Sequence, residues 1–289
     1  MTRWLPALVA VAVFTALVVL GSMAPEHLAE PNLELGLKSW FQSPPLGTDT
    51  RGRPLLEYAM QGARVVVFPA FTAGIAVAVA SVIGGLLRCV GDARVDGAVA
   101  AFGELVGALP RMVVILVVAI LIPGTERSLL PLALTWAVLC SPGAMDEAAA
   151  VAERLGGARF VEALRAHGFS WNRIFLYHIV ALNLRPVVVR QACETITQVT
   201  FLELALSYLS VQQNQSSFTH PDDLRSWADL LKLGYPSLVI PEVGTGHALA
   251  AGLFLVGMVV LLPPSSRVTG VRFSAAARMT MRPTVPLPV

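Results

Sequence analysis

Apolar residues in this chain come in long blocks, and the charged residues fall mostly in the gaps between them. The blocks run over residues 5–23, 65–87, 97–123, 129–145, 187–209 and 248–262. Most approach the roughly 20 residues a helix needs to cross a hydrocarbon layer about 30 Å thick. The last is short, and its helix is expected to begin nearer Val239. The first block, preceded by Arg3 and Trp4, also resembles a signal peptide. Its apolar run is long for a signal core and residues 16–24 offer no clean cleavage site, so a retained anchor is expected. The pattern predicts an all-α polytopic membrane protein with six transmembrane helices.

Polar residues inside the blocks are the first candidates for function. Span two carries Gly74, Ala78, Ala80, Gly84 and Gly85, small residues whose spacing permits close helix packing in lipid. Span three is interrupted by Glu104, Pro110 and Arg111. Glu104 and Arg111 are seven apart and so share a helical face, beside Gly103 and Gly107. In span five Arg190, Glu194 and Gln198 recur every four residues as one polar stripe, whereas Glu203 points to the other side. Charges at such depth must face protein or water. The spacing leaves two readings open, ion pairs buried between helices or the lining of a translocation path, with Glu203 anchoring packing or a gate.

The gaps organise the rest. Residues 25–64 are polar and acidic, with turns at Pro44-Pro45 and Gly47, and residues 55–64 form a candidate interfacial helix. A charged turn is expected at 88–96. Residues 152–186 are the longest charged gap, with Arg154, Arg159, Arg165, Arg173 and Arg185. There a helix would place Phe160, Leu164 and His167 on one face and Glu162, Arg165 and Ala166 towards the other. Gly168 would stop it, and Ser170 would cap a second helix from Trp171. The result is a protruding elbow between spans. His220-Pro221-Asp222-Asp223 reads as a proline turn and not as a metal site. After Pro263 a tail with Arg267, Arg272, Arg278 and Arg282 reads as disordered, lying on anionic lipid. The organisation is therefore an N-terminal stub at 1–4, a first span with its external segment at 5–64, a transmembrane core at 65–262 and the tail at 263–289.

Composition narrows the class. Of 289 residues 55% are hydrophobic and 14% charged, too apolar for an ordinary soluble domain. A net charge of +2 gives no sign of a nucleic-acid partner. Cys89, Cys140 and Cys193 lack metal-ligand spacing, so neither a metal site nor a disulfide is expected. With the N-terminus inside, Arg3, Arg88, Arg94, the elbow arginines and the tail arginines all fall inside. By the positive-inside rule both termini and the elbow are cytoplasmic. No GxxxxGK[ST], HExxH, GxSxG or paired-carboxylate pattern occurs, so no enzyme is expected in this chain.

Residues 45 to 260 resemble one family in order. Pro45-Leu46-Gly47-Thr48-Asp49, Arg51-Gly52-Arg53 and Gly62-Ala63-Arg64 resemble the segment before the second span of oligopeptide/dipeptide/nickel ABC-importer permeases. Ala108-Leu109-Pro110, Leu202-Glu203, Leu206-Ser207-Tyr208-Leu209 and Trp227-Ala228-Asp229-Leu230-Leu231 follow in that subfamily's order. Glu162, Ala163 and Gly168, with Arg173 and His178-Ile179 downstream, are similar to the cytoplasmic loop by which such permeases engage their ATPases. The chain departs from the pattern at Leu164, at Ala181 and in its tail.

The resemblance implies a type I importer permease in a bacterial inner membrane. Its partners would be a second homologous permease, two cytoplasmic ATPases that bind ATP and Mg, and an external solute-binding protein. Phe160, Glu162, Ala163, Leu164, Gly168 and Arg173 would form the docking loop, and no cofactor would sit in this chain. The subfamily carries short peptides, nickel and metal-chelator complexes. A di- or oligopeptide is the expected cargo, because alternating Arg and Glu on span five suits a zwitterion. Two other classes stand beside this one. An ATP-independent transporter or channel would use Arg190, Glu194 and Glu104 as its ion path, and a membrane scaffold would use the elbow alone.

Overall fold

The computed structural model describes residues 5–39, 41–43, 45–90, 92–123, 127–154, 157–171, 173–212, 224–235 and 246–260. Among these the chain is helical, with one isolated antiparallel bridge between Thr48 and Pro54. Its helices are α1 (Leu5–Ser22), α2 (Leu55–Val90), α3 (Ala93–Gly107), α4 (Arg111–Leu121), α5 (Leu129–Arg154) and α6 (Gly157–Ala166). A wide helix, π1 (Arg173–Leu184), then leads into α7 (Arg185–Gln212), followed by α8 (Trp227–Gly234) and α9 (Gly246–Val260). The tail after Val260 and the His220 turn lie outside the described residues.

Among the described residues two helices, Leu55–Leu87 and Leu129–Arg154, are long and apolar enough to cross a membrane, and α7, expected as the fifth of six spans, is not one of them. A third span results if the α3–α4 pair, bent by 74°, counts as one. Apolar stretches at Ala12–Ser22 and Ala248–Val259 are shorter. This is a helical protein with a membrane-like core.

Boundaries differ from the sequence expectation where neighbours extend a helix. Residues 55–64 are not a separate interfacial helix but the first turns of α2. At 36 residues α2 is roughly 54 Å long, so one end must stand clear of the hydrocarbon layer. That end is the polar one, with Glu57, Gln61 and Arg64. Likewise α5 continues past residue 145 to Arg154. The charged turn expected at 88–96 shrinks to a break beside Asp92, whose carboxylate caps α3 by accepting from Arg94 N at 2.9 Å.

Helix α2 is the axis on which the others pack. Its small residues remove the side chains that would hold neighbours away. A β-carbon on Gly84 would fall 2.5 Å from Met145 Cα, and one on Gly74 would fall 2.9 Å from Ile196 Cγ1. One on Gly85 would strike Leu184, 2.5 Å away. Ser81 Oγ adds a hydrogen bond to the Ala144 carbonyl at 3.0 Å. Ala63, Ala70 and Ala73 of α2 are buried with Leu132, Ala133 and Ala137 of α5 and Val199 and Leu202 of α7.

At the polar end of α2, three separate stretches converge into a cap. Asp49 is buried, and one carboxylate oxygen accepts from Arg51 N and Arg53 N, each at 2.8 Å. Its other oxygen accepts from Tyr58 Oη at 2.8 Å, which ties the loop to α2. Gly52 makes the turn at φ +76°, and a β-carbon there would overlap Asn32 O at 1.8 Å. Trp227 of α8 is fully buried against Gly62 and donates Nε1–H to Ala59 O at 3.0 Å. Gln61 joins the pieces, donating to Pro25 O and accepting from Arg225 N, both at 3.2 Å.

Trp227→Ala should therefore lower the thermal midpoint of the detergent-purified chain, by about 3–5 kcal/mol in stability. Gly62→Ala should also destabilise, because the new methyl meets the indole. Combining the two should cost less than their sum, as a double-mutant cycle on thermal midpoints will show.

Candidate functional site

At the other end of α2, roughly 36 Å from the cap by helix rise from Gln61 to Gly85, stands the elbow. It consists of α6, the turn at Gly168 and π1, inserted between the end of α5 and the start of α7. Helix α6 is short and amphipathic. Val161 is its buried anchor, with Leu164 half-buried beside it. Arg159, Glu162, Ala163 and Arg165 are exposed. Of the expected face of Phe160, Leu164 and His167, only Leu164 turns inward among the described side chains. His167 is exposed, its Nδ1 lying 2.8 Å from Ala163 O, and the inward pair is Val161 and Leu164. The Phe160 side chain lies outside the described residues.

The turn closes α6 by chemistry that only its glycine supplies at no steric cost. Gly168 has φ +82°. Gly168 N donates to Arg165 O at 2.8 Å and Phe169 N to Leu164 O at 3.2 Å, the paired bonds of a Schellman ending. Phe169 and Leu164 then meet in one small core with Ala148 and Ala152 of α5. The next helix does not have the expected α-helical winding. Over Arg173–Leu184 it is wound with i→i+5 bonds, and Asn183 Nδ2 donates to His178 O at 2.5 Å. At its start the Ser170 backbone carbonyl accepts from Ile174 N at 3.0 Å.

The polar residues inside the helices are placed in three different ways. Glu104 and Arg111 do not share a face, because the chain breaks at Ala108–Pro110 and puts them on helices 74° apart. Pro110 removes a backbone donor and the helix restarts after it. Both side chains are exposed, so they are not a pair buried between helices.

The α7 stripe faces α5. Arg190 pairs with Glu147, and Gln191 Nε2 donates to the same carboxylate. Gln198 Oε1 accepts from Trp136 Nε1 at 3.1 Å and from Cys140 Sγ at 3.6 Å. Glu194 lies between them, half-buried. Glu147 was missed in the sequence because it falls just beyond the apolar block of α5, among Asp146 and the alanines. Its distance to Arg190 along the chain left no spacing by which to pair them.

Glu203 belongs to the cap end. It is fully buried and accepts from Ser207 Oγ at 2.8 Å. Ser226 and the Asp229–Lys232 pair of α8 stand beside it. A carboxyl group so enclosed cannot touch a passing solute in this conformation.

No protein-family model matches the sequence, and no curated protein does.

Glu147→Ala should remove the carboxylate with which Arg190 pairs. Because both side chains keep 31% of their surface, the expected loss is about 2 kcal/mol, below that of a fully enclosed pair. The exchange Glu147→Arg with Arg190→Glu should recover most of it in thermal melts of the purified chain.

Proposed function

We propose that this chain is the permease subunit of an ATP-driven ABC importer, forming half of a solute path and coupling it to cytoplasmic ATPases in separate chains. The observation that carries this reading is α6. A charged ten-residue helix, its described polar side chains exposed, stands between the end of α5, a helix able to cross a membrane, and π1, held by Val161 and by the Gly168 turn. Such a helix has little to do for packing and is well shaped to enter a groove on another protein. Glu162, the acidic residue of α6, would accept a charge-assisted hydrogen bond there. Because α5 and π1 both pack on α6 through one small core, a push on α6 is passed to the bundle as a rigid body.

The α3–α4 bend supports a second permease. Leu105, Ile120 and Leu121 are 69, 70 and 74% exposed, and Glu104 and Arg111 are exposed among them. Charges facing bare lipid cost several kcal/mol, so this surface suits a neighbouring subunit or the water-filled path. Short peptides remain the proposed cargo, on the alternation of cationic and anionic groups along α7. The proposed setting is a bacterial inner membrane with both termini and the elbow cytoplasmic. An external solute-binding protein would meet the cap end.

Mild-detergent purification from the native host, with mass spectrometry of what co-purifies, tests the assembly. A second multi-span permease and one or two P-loop ATPases are expected. A chain recovered alone would favour an ATP-independent transporter. In the assembled complex Glu162→Lys or Gly168→Pro should separate ATP hydrolysis from solute uptake while membrane insertion stays intact. Uptake at the unmodified rate in both variants would remove the docking role from α6.

A further inference from the structure

The elbow has a second face, distinct from the charged side of α6. In π1 the buried residues recur every fifth position, at Ile174, Ile179 and Leu184. The i→i+5 winding returns each of them to nearly the same side, against Ala148 and Ala152 of α5. The outward side is apolar as well: Leu176, Tyr177 and Leu182 are 67, 53 and 51% exposed. π1 also runs without a break into α7, whose own Val189 and Phe201 are exposed.

Cationic groups are mounted on aromatic rings beside this face. The Arg165 guanidinium lies 4.7 Å from the Trp171 ring centroid, and Arg173 lies 5.0 Å from that of Phe169. Trp171 in turn stacks on Phe175 at 5.2 Å. Both arginines are exposed. A ring orients a guanidinium without consuming its N–H donors, which stay available to an anion.

We propose that π1 lies in the membrane interface, with Leu176, Tyr177 and Leu182 at the acyl boundary and Arg165 and Arg173 on the phosphates of anionic phospholipid. Three features choose lipid as the occupant. The face is continuous with a helix bearing exposed apolar side chains. Trp and Tyr are the residues that settle at headgroup depth. Basic side chains next to an apolar face match anionic lipid in charge. Anchored in this way, π1 would hold the elbow at a fixed height, so that movement of α6 reaches α5 and α7 and is not lost in rotation of the loop. The proposal needs only a membrane-embedded chain and is independent of any ATPase.

The test places nitroxide labels at Leu176→Cys and Tyr177→Cys in the full chain, with Cys89, Cys140 and Cys193 replaced by serine. The chain is reconstituted in bilayers of phosphatidylcholine, with or without about one third phosphatidylglycerol. Glu162→Cys serves as the water-facing control. Collision rates with dissolved oxygen and with a water-soluble nickel chelate report depth. The labels at 176 and 177 should favour oxygen, more strongly when phosphatidylglycerol is present, while the label at 162 stays with nickel. Arg165→Gln with Arg173→Gln should remove the phosphatidylglycerol dependence, with retention of anionic lipid falling roughly fivefold per arginine. Labels at 176 and 177 as open to nickel as the control in both bilayers would overturn the proposal. So would labels shielded only when an ATPase partner is added, which would make the face a protein dock.

Discussion

The structure depends on how closely two helices can approach the backbone of α2. In lipid there is no hydrophobic force between apolar helices, so contact has to come from van der Waals fit and hydrogen bonds. Gly84 lets α5 reach that backbone, and Gly74 does the same for α7. Gly85 receives Leu184, the last residue of π1. Everything attached to these helices inherits its position from the three contacts. Larger side chains there would separate α5 from α7 and pull Glu147 away from Arg190.

The two ends of α2 use different physics. At the cap, hydrogen bonds from separate stretches of chain converge on a few buried polar groups. Asp49 takes three donors, Gln61 bridges two loops and the Trp227 indole finds a carbonyl. Such networks fix a single geometry, because each unmet group would be costly. At the elbow the core is small and the helices are held by a few apolar contacts and one glycine turn. The cap is tied by many directional bonds and the elbow by few, so the elbow is the less constrained of the two ends.

Several features were legible in the chain because they depend on near neighbours. The helical blocks, the glycine stop at 168 and the small-residue face of α2 all follow from spacing within one helix. The paired motifs at Gly62 and Trp227 were visible as separate marks, yet nothing in either showed that one is the socket for the other. The α3–α4 break was foreshadowed by Pro110, but the seven-residue spacing of Glu104 and Arg111 suggested a shared face that a bend of 74° abolishes. In π1 nearly every position is apolar, so the sequence has no period that marks Ile174, Ile179 and Leu184 as the buried ones.

By itself the sequence determined that this is a helical chain with a membrane-like core, a charged elbow and small residues where helices must meet. Those properties are set by local hydrophobic period and by backbone sterics, which act over a few residues. Only the tertiary structure decided that Arg190 belongs to Glu147, that Glu203 is sealed beneath α8, and that Asp49 and Trp227 build one cap. Each of these joins groups far apart in the chain, and their pairing comes from which helix faces touch once α2 is packed.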